Sequence, residues 1–219
     1  DVIDIVMIVD EILGISLSRT EGLEDITLKY GNGIFSLEFE KVIAGIQCDV
    51  SGDFEIISIF VNEGWKLHEN GKTLLLYAED GSDLSTSRPF EYGGDLQVNS
   101  CMATDWFFEP TMVDVVELPK AYSLHSAYPN PFNPTTRIDF DLPVDSHVSM
   151  TVYNLQGRLL TTLSDEIKSA GYHSISWNAS QYSSGVYFVS IYAYNTDVST
   201  VSSGIKQSFT KTQKLMLVK

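Results

Sequence analysis

Three groups of residues have types and spacings that can do chemistry. Asp49-Val-Ser-Gly-Asp53-Phe-Glu55 places carboxylates in part of a calcium-loop rhythm. Calcium takes about six to eight oxygens, and its loop needs a glycine at the sharp bend. Phe54 stands where that glycine belongs, so Asp49, Asp53 and Glu55 are either calcium candidates or ordinary turn acids beside Gly52. Asp80 and Asp83 form a second turn-borne pair. Cys48 and Cys101 are the only cysteines. They form one disulfide in an oxidising compartment, or remain two buried thiols on strands. With no Cys-x-x-Cys and no Cys/His cluster, zinc is disfavoured. The histidines, at 68, 125, 147 and 173, are scattered. Gly-x-Ser-x-Gly, His-Glu-x-x-His, P-loop and Gly-x-Gly-x-x-Gly patterns do not occur. The expectation is no enzyme, and no cofactor unless it is calcium. Trp65, Tyr77, Tyr92, Trp106, Phe107 and Phe108 either stack sugars or fold over a core edge, since successive strand residues cannot all point inward. Asn178-Ala-Ser180 is a glycosylation sequon. The Ser/Thr-rich stretches 82–87 and 196–203 are candidate O-glycan sites.

The chain has 219 residues, 43% apolar and 20% charged, enough for two packed domains of about 100 residues each. A net charge of −15 disfavours nucleic-acid binding, which needs clustered Lys and Arg, and adsorption to an anionic membrane. The longest apolar run, Ile5 to Val9, is too short to span a bilayer. Charge is unevenly divided. Residues 1–118 carry 23 Asp and Glu against 6 Lys and Arg; residues 119–219 carry 6 against 8. Such a step marks two units, of which the acidic one attracts the other, binds calcium, or simply keeps a soluble surface.

Val2, Ile5, Val6, Val9, Ile12 and Leu13 recur at helical spacing before Gly14, so residues 1–14 read as a short apolar helix. A strand is the alternative, because β-branched residues dominate. Either way this surface must dock on something. Residues 15–24 read as a linker. From 25 to 118, alternating runs fall at 26–30, 35–39, 42–50, 54–61, 73–78, 96–103 and 112–118. Gly31-Asn32-Gly33, Ser51-Gly52-Asp53 and Asn70-Gly71 supply turns, and 79–94 reads as a polar loop. Residues 119–136 hold four of the seven prolines and read as an extended arm outside any sheet interior. Strands resume over 137–219, at 137–142, 147–154, 159–163, 173–177, 185–192 and 209–218. The fold class expected is all-β: two immunoglobulin-like β-sandwiches in tandem, with a short N-terminal helix or strand.

The C-terminal motifs carry a resemblance. Tyr128-Pro129-Asn130-Pro131-Phe132-Asn133-Pro134 is followed by Ile138-Asp-Phe-Asp-Leu-Pro143 and Val152-Tyr-Asn-Leu-Gln-Gly-Arg158. Then come Trp177-Asn-Ala, Ser184-Gly-Val-Tyr-Phe188 and the closing Thr212-Gln-Lys-Leu-Met-Leu-Val-Lys219. In this order, over 119–219, they resemble the C-terminal sorting domain of type IX secretion cargo, whose immunoglobulin-like fold is shared with flagellar hook-capping proteins. The resemblance implies contact with the secretion machinery, export across a gram-negative outer membrane, and display on the surface or release. Asp1, Asp4 and the run from Ile5 to Gly14 resemble half of a dockerin repeat, in which two carboxylates are too few to hold calcium. Residues 25–118, through Val42-Ile-Ala-Gly-Ile-Gln-Cys-Asp-Val50, resemble cohesin-like sandwiches, though shorter than is usual for them.

The reading that follows is a secreted, non-enzymatic, structural or adhesive surface protein. No signal peptide precedes Asp1, so a longer precursor is expected. The N-terminal segment docks on its own sandwich or inserts into a neighbour and builds a fibre. The alternative is a carbohydrate-binding or scaffold module from a larger secreted hydrolase. Expected partners are copies of the chain, the secretion machinery and, for the alternative, glycans; nucleic acid and membrane insertion are not expected.

Overall fold

The computed structural model describes residues 2–13, 26–40, 42–106, 110–196 and 208–219, with backbone alone over 8–13. The chain forms two compact units, Asp1–Glu117 and Leu118–Lys219, both almost entirely β-sheet. The class is the one expected, an all-β chain of immunoglobulin-like sandwiches.

The first unit starts with α1 (Val2–Leu13), then β1 (Thr27–Gly31), β2 (Ile34–Glu38), β3 (Gly45–Ser51), β4 (Phe54–Ile59) and β5 (Trp65–Glu69). It continues through β6 (Thr73–Ala78), β7 (Phe90–Gly94), β8 (Gln97–Thr104), β9 (Pro110–Met112) and β10 (Asp114–Glu117). One sheet runs β10-β1-β2-β7-β4 and the other β5-β6-β3-β8-β9. β10 pairs with β1 in parallel; the other pairings are antiparallel. The β1–β2 hairpin closes on Asn32-Gly33 with φ of 53° and 82°, the left-handed pair that matches strand twist. Alternation sets the core. Leu28, Phe35, Leu37 and Phe90 face Ile46, Cys48, Leu74 and Leu76, and Phe35 stacks on Phe90 with centroids 4.3 Å apart.

Two strands depart from the sequence reading. Part of the expected polar loop 79–94 is β7, with Phe90 and Tyr92 buried in the core. Pro89 and the Gly93-Gly94 pair hide that alternation. β5 was not expected, although Trp65 and Leu67 alternate inward.

Tyr92 gives this unit a pH dependence. Burial first, then the neighbouring Tyr30 and Glu117, push its phenol from 10.0 up to about 12. Below pH 10 the phenol is neutral folded or unfolded, and its contribution is intact. Between 10 and about 12 the unfolded chain loses the proton first, so stability falls, by at most about 1.4 kcal/mol per pH unit. Urea midpoints should drop across that window, and Tyr92→Phe should flatten most of the slope. An unchanged slope in Y92F would assign the drop to other groups.

The N-terminal segment is a helix, and it packs on its own unit. β3 turns Ile46, Cys48 and Val50 inward, so Gly45 and Gln47 lie on the outer face of the sheet. Val2 and Val6 are fully buried there, and the Val2 N–H donates to Gln47 Oε1 at 3.0 Å. A Cβ on Gly45 would sit 2.5 Å from Val2 Cγ2 and 3.3 Å from Val6 Cγ2. Glycine therefore permits the helix to approach. Gly45→Ala should lift α1 and cost about 1–3 kcal/mol. Hydrogen exchange should rise at residues 3–7 and leave the sheet amides unchanged; uniform protection would refute this docking role.

This placement matches the first of the two expected alternatives, docking on the chain's own sandwich. Val2 and Val6, expected as a connector, are occupied by their own chain, and Ile5 is half-buried. The side chains of Val9, Ile12 and Leu13, together with Gly14 and the linker at 15–24, lie outside the described residues.

The second unit contains β11 (Ser123–Leu124), β12 (Thr135–Leu142), β13 (Ser146–Asn154), β14 (Leu159–Lys168), β15 (Gly171–Asn178), β16 (Gly185–Asn195) and β17 (Ser208–Leu217). Its sheets run β11-β12-β15 and β14-β13-β16-β17. Ile138, Phe140 and Leu142 of one pack with Val148, Met150, Val152 and Ile191 of the other, all fully buried.

Candidate functional site

The Pro-rich segment is built into the second unit as a clasp between its two sheets. Prolines 129, 131 and 134 lack an N–H and cannot join a continuous ladder. The segment instead makes isolated bridges through the residues between them. Tyr128 exchanges both backbone hydrogen bonds with Arg137 of β12, at 2.9 and 3.0 Å. Four residues on, the Phe132 N–H donates to Met216 O at 2.9 Å, and the Val218 N–H to Phe132 O at 3.0 Å. The segment thus runs antiparallel to β12 and then parallel to β17.

Side chains complete the clasp. Asn130 Nδ2 donates to Lys214 O and its Oδ1 accepts from the Met216 N–H, both at 2.9 Å. Gln213 reaches back in the same way: its Oε1 accepts from the Ala127 N–H at 3.2 Å and its Nε2 donates to His125 O at 3.1 Å. Lys211 Nζ donates to Leu124 O at 3.1 Å. Thr136 Oγ1 donates to Pro129 O, and the Ala179 N–H to Pro134 O. The outer edge of β17, the last strand of its sheet, is covered, as an exposed edge requires.

The motif divides into two sets. Phe132 is 2% exposed and packs on Trp177, with ring centroids 5.3 Å apart. Trp177 in turn meets Tyr182 and Tyr187. Tyr128 is 76% exposed, and Pro129, Asn130, Pro131 and Asn133 also lie at the surface. His125, just before the motif, sets Nε2 2.6 Å from Asp141 Oδ2. The chain around His125 offers no carboxylate; the partner comes from β12, sixteen residues on. Asp141, Gln213 and Lys211 escape sequence reasoning, since nothing local marks contacts of such separation.

The other candidates are dispersed or buried. Asp49, Asp53 and Glu55 are exposed on β3, the following turn and β4, and Asp49 Oδ2 accepts from Ser100 Oγ at 3.0 Å. They are not gathered: among the described residues no group of three or more His, Cys, Asp or Glu is placed to hold a metal ion. Asp80 stays ionised below the usual carboxylate range because Ser82 donates to it. Cys48 and Cys101 lie directly opposite on antiparallel β3 and β8, with Cα atoms 4.1 Å apart, joined as a disulfide in the core. Trp65, Tyr92 and Trp106 are buried, and Trp65 Nε1 donates to Ser82 O at 3.1 Å. That corrects the sugar platform, because replacing Trp65 or Trp106 would disturb the core. Tyr77 is half-buried beside His68. Phe107 and Phe108, and 197–203 of the Ser/Thr stretch, lie outside the described residues. Asn178 is exposed, and its Oδ1 accepts from the Ser180 N–H at 3.0 Å.

Residues 126–206, which include the 128–134 segment of the clasp and end before β17, match the family model of the secretion system C-terminal sorting domain. The match implies that the chain is a substrate of type IX secretion, secreted to the cell surface or beyond. No helix among the described residues is long and apolar enough to cross a membrane. No curated protein matches the chain. Among solved structures the chain is similar to dimeric latent PorU from Porphyromonas gingivalis, at 14% identity over 75% of this chain and 20% of that one, with TM-score 0.33. This chain thus spans about a fifth of that protein's length. It is also similar to the human OSCAR ligand-binding domain, at 11% identity over 87% and 99% of the two chains, TM-score 0.26. A chimeric titin Z1Z2 tandem gives 13% identity over 91% and 96%, TM-score 0.21.

Proposed function

We propose that the chain is a non-enzymatic structural or adhesive protein of the outer surface of a gram-negative bacterium. Its second unit is the export passenger tag, and its acidic first unit is the part displayed. The observation that carries this reading is the sorting-domain match over 126–206, lying on a clasp that needs the last strand in place. The Cys48–Cys101 pair supports it, since such bonds persist outside the reducing cytosol. The exposed part of the motif, Tyr128 to Pro131, is the surface offered to the secretion machinery. The folded clasp presents that surface only after β17 has been made. The chain would be produced behind a signal peptide in a bacterium with a working type IX machinery, and in the same strain lacking it. Surface exposure to added protease is expected only in the first. Equal exposure in both strains would overturn the reading.

A further inference from the structure

Each unit carries an exposed apolar patch, and the rims of the two patches have opposite charge. In the first unit β4 is the edge of its sheet; a bulge between Ile56 and Ser58 leaves Glu55 and Ile57 on the outer face, while Ile59, opposite the buried Phe90, lies along the open edge. Ile57, Ile59 and the following Phe60 are 62%, 55% and 50% exposed. Ile57 Cδ1 lies over Gly93 of β7, where no side chain competes. The rim is acidic: Asp53, Glu55 and Glu63 are exposed on the same strand and its flanks, and Glu91 pairs opposite Ser58. One cation, Arg88, adjoins the residue whose carbonyl accepts from the Phe60 N–H.

In the second unit Leu159, Tyr153, Phe188 and Lys214 form one row across four strands. Val186 and Met216 pair in the next row. The alternate residues Val152, Val189 and Leu215 are fully buried, so these rows face outward. Leu155 and Leu159, at the β13–β14 turn, are more than half exposed. Here the rim is basic. Arg158 sits in the turn, Lys214 ends the first row and Lys219 follows β17, with no carboxylate in these two rows.

We propose that the two patches bind each other between copies: the Ile57–Phe60 patch of one chain seats on the Leu159–Met216 face of the next. The occupant is a second copy because the chain itself holds both halves of the complementarity. Unit one carries 23 acids against 6 bases, and unit two 6 against 8. Apolar side chains supply the contact, and the charged rims set its orientation and salt sensitivity. The patches differ, so the contact is heterologous and generates an open filament. It replaces α1 as the connector, and it rests on the reading of the chain as a structural surface protein.

The test uses the full chain, by sedimentation velocity over a concentration series at low and high salt, with negative-stain microscopy. Assemblies are expected to lengthen with concentration and shorten with salt. Ile57→Arg blocks one patch; Arg158→Glu with Lys214→Glu blocks the other. Each variant should associate at least about tenfold more weakly. All three side chains are exposed, so urea midpoints should match the parent protein. Mixed in equal amounts, the two variants keep one intact patch each and should form a discrete dimer and nothing longer. A parent chain that stays monomeric, variants that assemble as the parent does, or a mixture without dimer each overturn the proposal. If export still depends on the machinery in those cases, the filament alone fails and the secretion reading stands.

Discussion

Phe132→Ala is expected to lower the stability of the second unit sharply, whereas Tyr128→Ala leaves it near the parent's. The two residues are four apart in one motif but face opposite environments. Phe132 is buried against Trp177, and its backbone bridges to Met216 and Val218. Truncating such an aromatic costs about 3–5 kcal/mol, against the roughly 5–15 kcal/mol that holds a typical domain together. The loss falls where the two sheets are joined, so β17 should detach as the core loosens. Tyr128 holds its place through backbone hydrogen bonds that alanine keeps, and its ring is in water. Asn130→Ala lies between the two: it removes two hydrogen bonds to the β17 edge, which water partly replaces, at about 1–2 kcal/mol. Urea unfolding followed by hydrogen exchange at the amides of β13 and β16 should rank the midpoints as Y128A near the parent, N130A lower and F132A lowest. A parental midpoint for F132A would refute the clasp. Surface protease assays on the same variants divide recognition from folding. Loss of export in Y128A, with its midpoint unchanged, would mark Tyr128 as directly read by the machinery.

What was legible in the sequence follows from the range of the interactions. The Ile138–Leu142 part of β12 and the His147–Val152 part of β13 alternate apolar and polar residues without interruption, so their positions follow from period two alone. The step in charge falls at the boundary between the compact units, because surface composition is set unit by unit. β7 was hidden because Gly93 and Gly94 serve close packing: Gly94 has φ 85°, with the Asp53 carbonyl where a Cβ would stand. The calcium rhythm at Asp49, Asp53 and Glu55 dissolves because a tight turn between two strands separates carboxylates that a calcium loop would wrap together. The helix was visible from its period, but its docking place was not. The local cue is Gly45, a glycine on the outward face of a buried strand. The motif 128–134 was visible as a string, whereas its role as a clasp depends on Gln213 and Met216, 86 residues away.

Reduction is expected to lower the stability of the first unit sharply and leave the second untouched. Cys48 and Cys101 close a loop with a sequence separation of 53. Chain-entropy arguments give about 4 kcal/mol for a loop of that size, through restriction of the unfolded chain. The bond lies across the central pair of its sheet, β3 and β8, with both residues buried in the core. Its loss therefore releases an unfolded loop that includes β4 through β7, without opening a surface cavity that could relax. The oxidised and reduced forms of the same chain separate the crosslink from side-chain packing. Reduced protein should show the lower urea transition at the amides of β3 and β8, while those of β13 and β16 report an unchanged second unit. Cys48→Ala with Cys101→Ala should fall at least as far, because it adds the loss of packed atoms. Equal midpoints for the oxidised and reduced forms, with free thiols titrating in both, would show that the two sulfurs are unbonded in the native protein. The first unit would then be held by its two sheets alone, and Cys48 and Cys101 would act as small core residues.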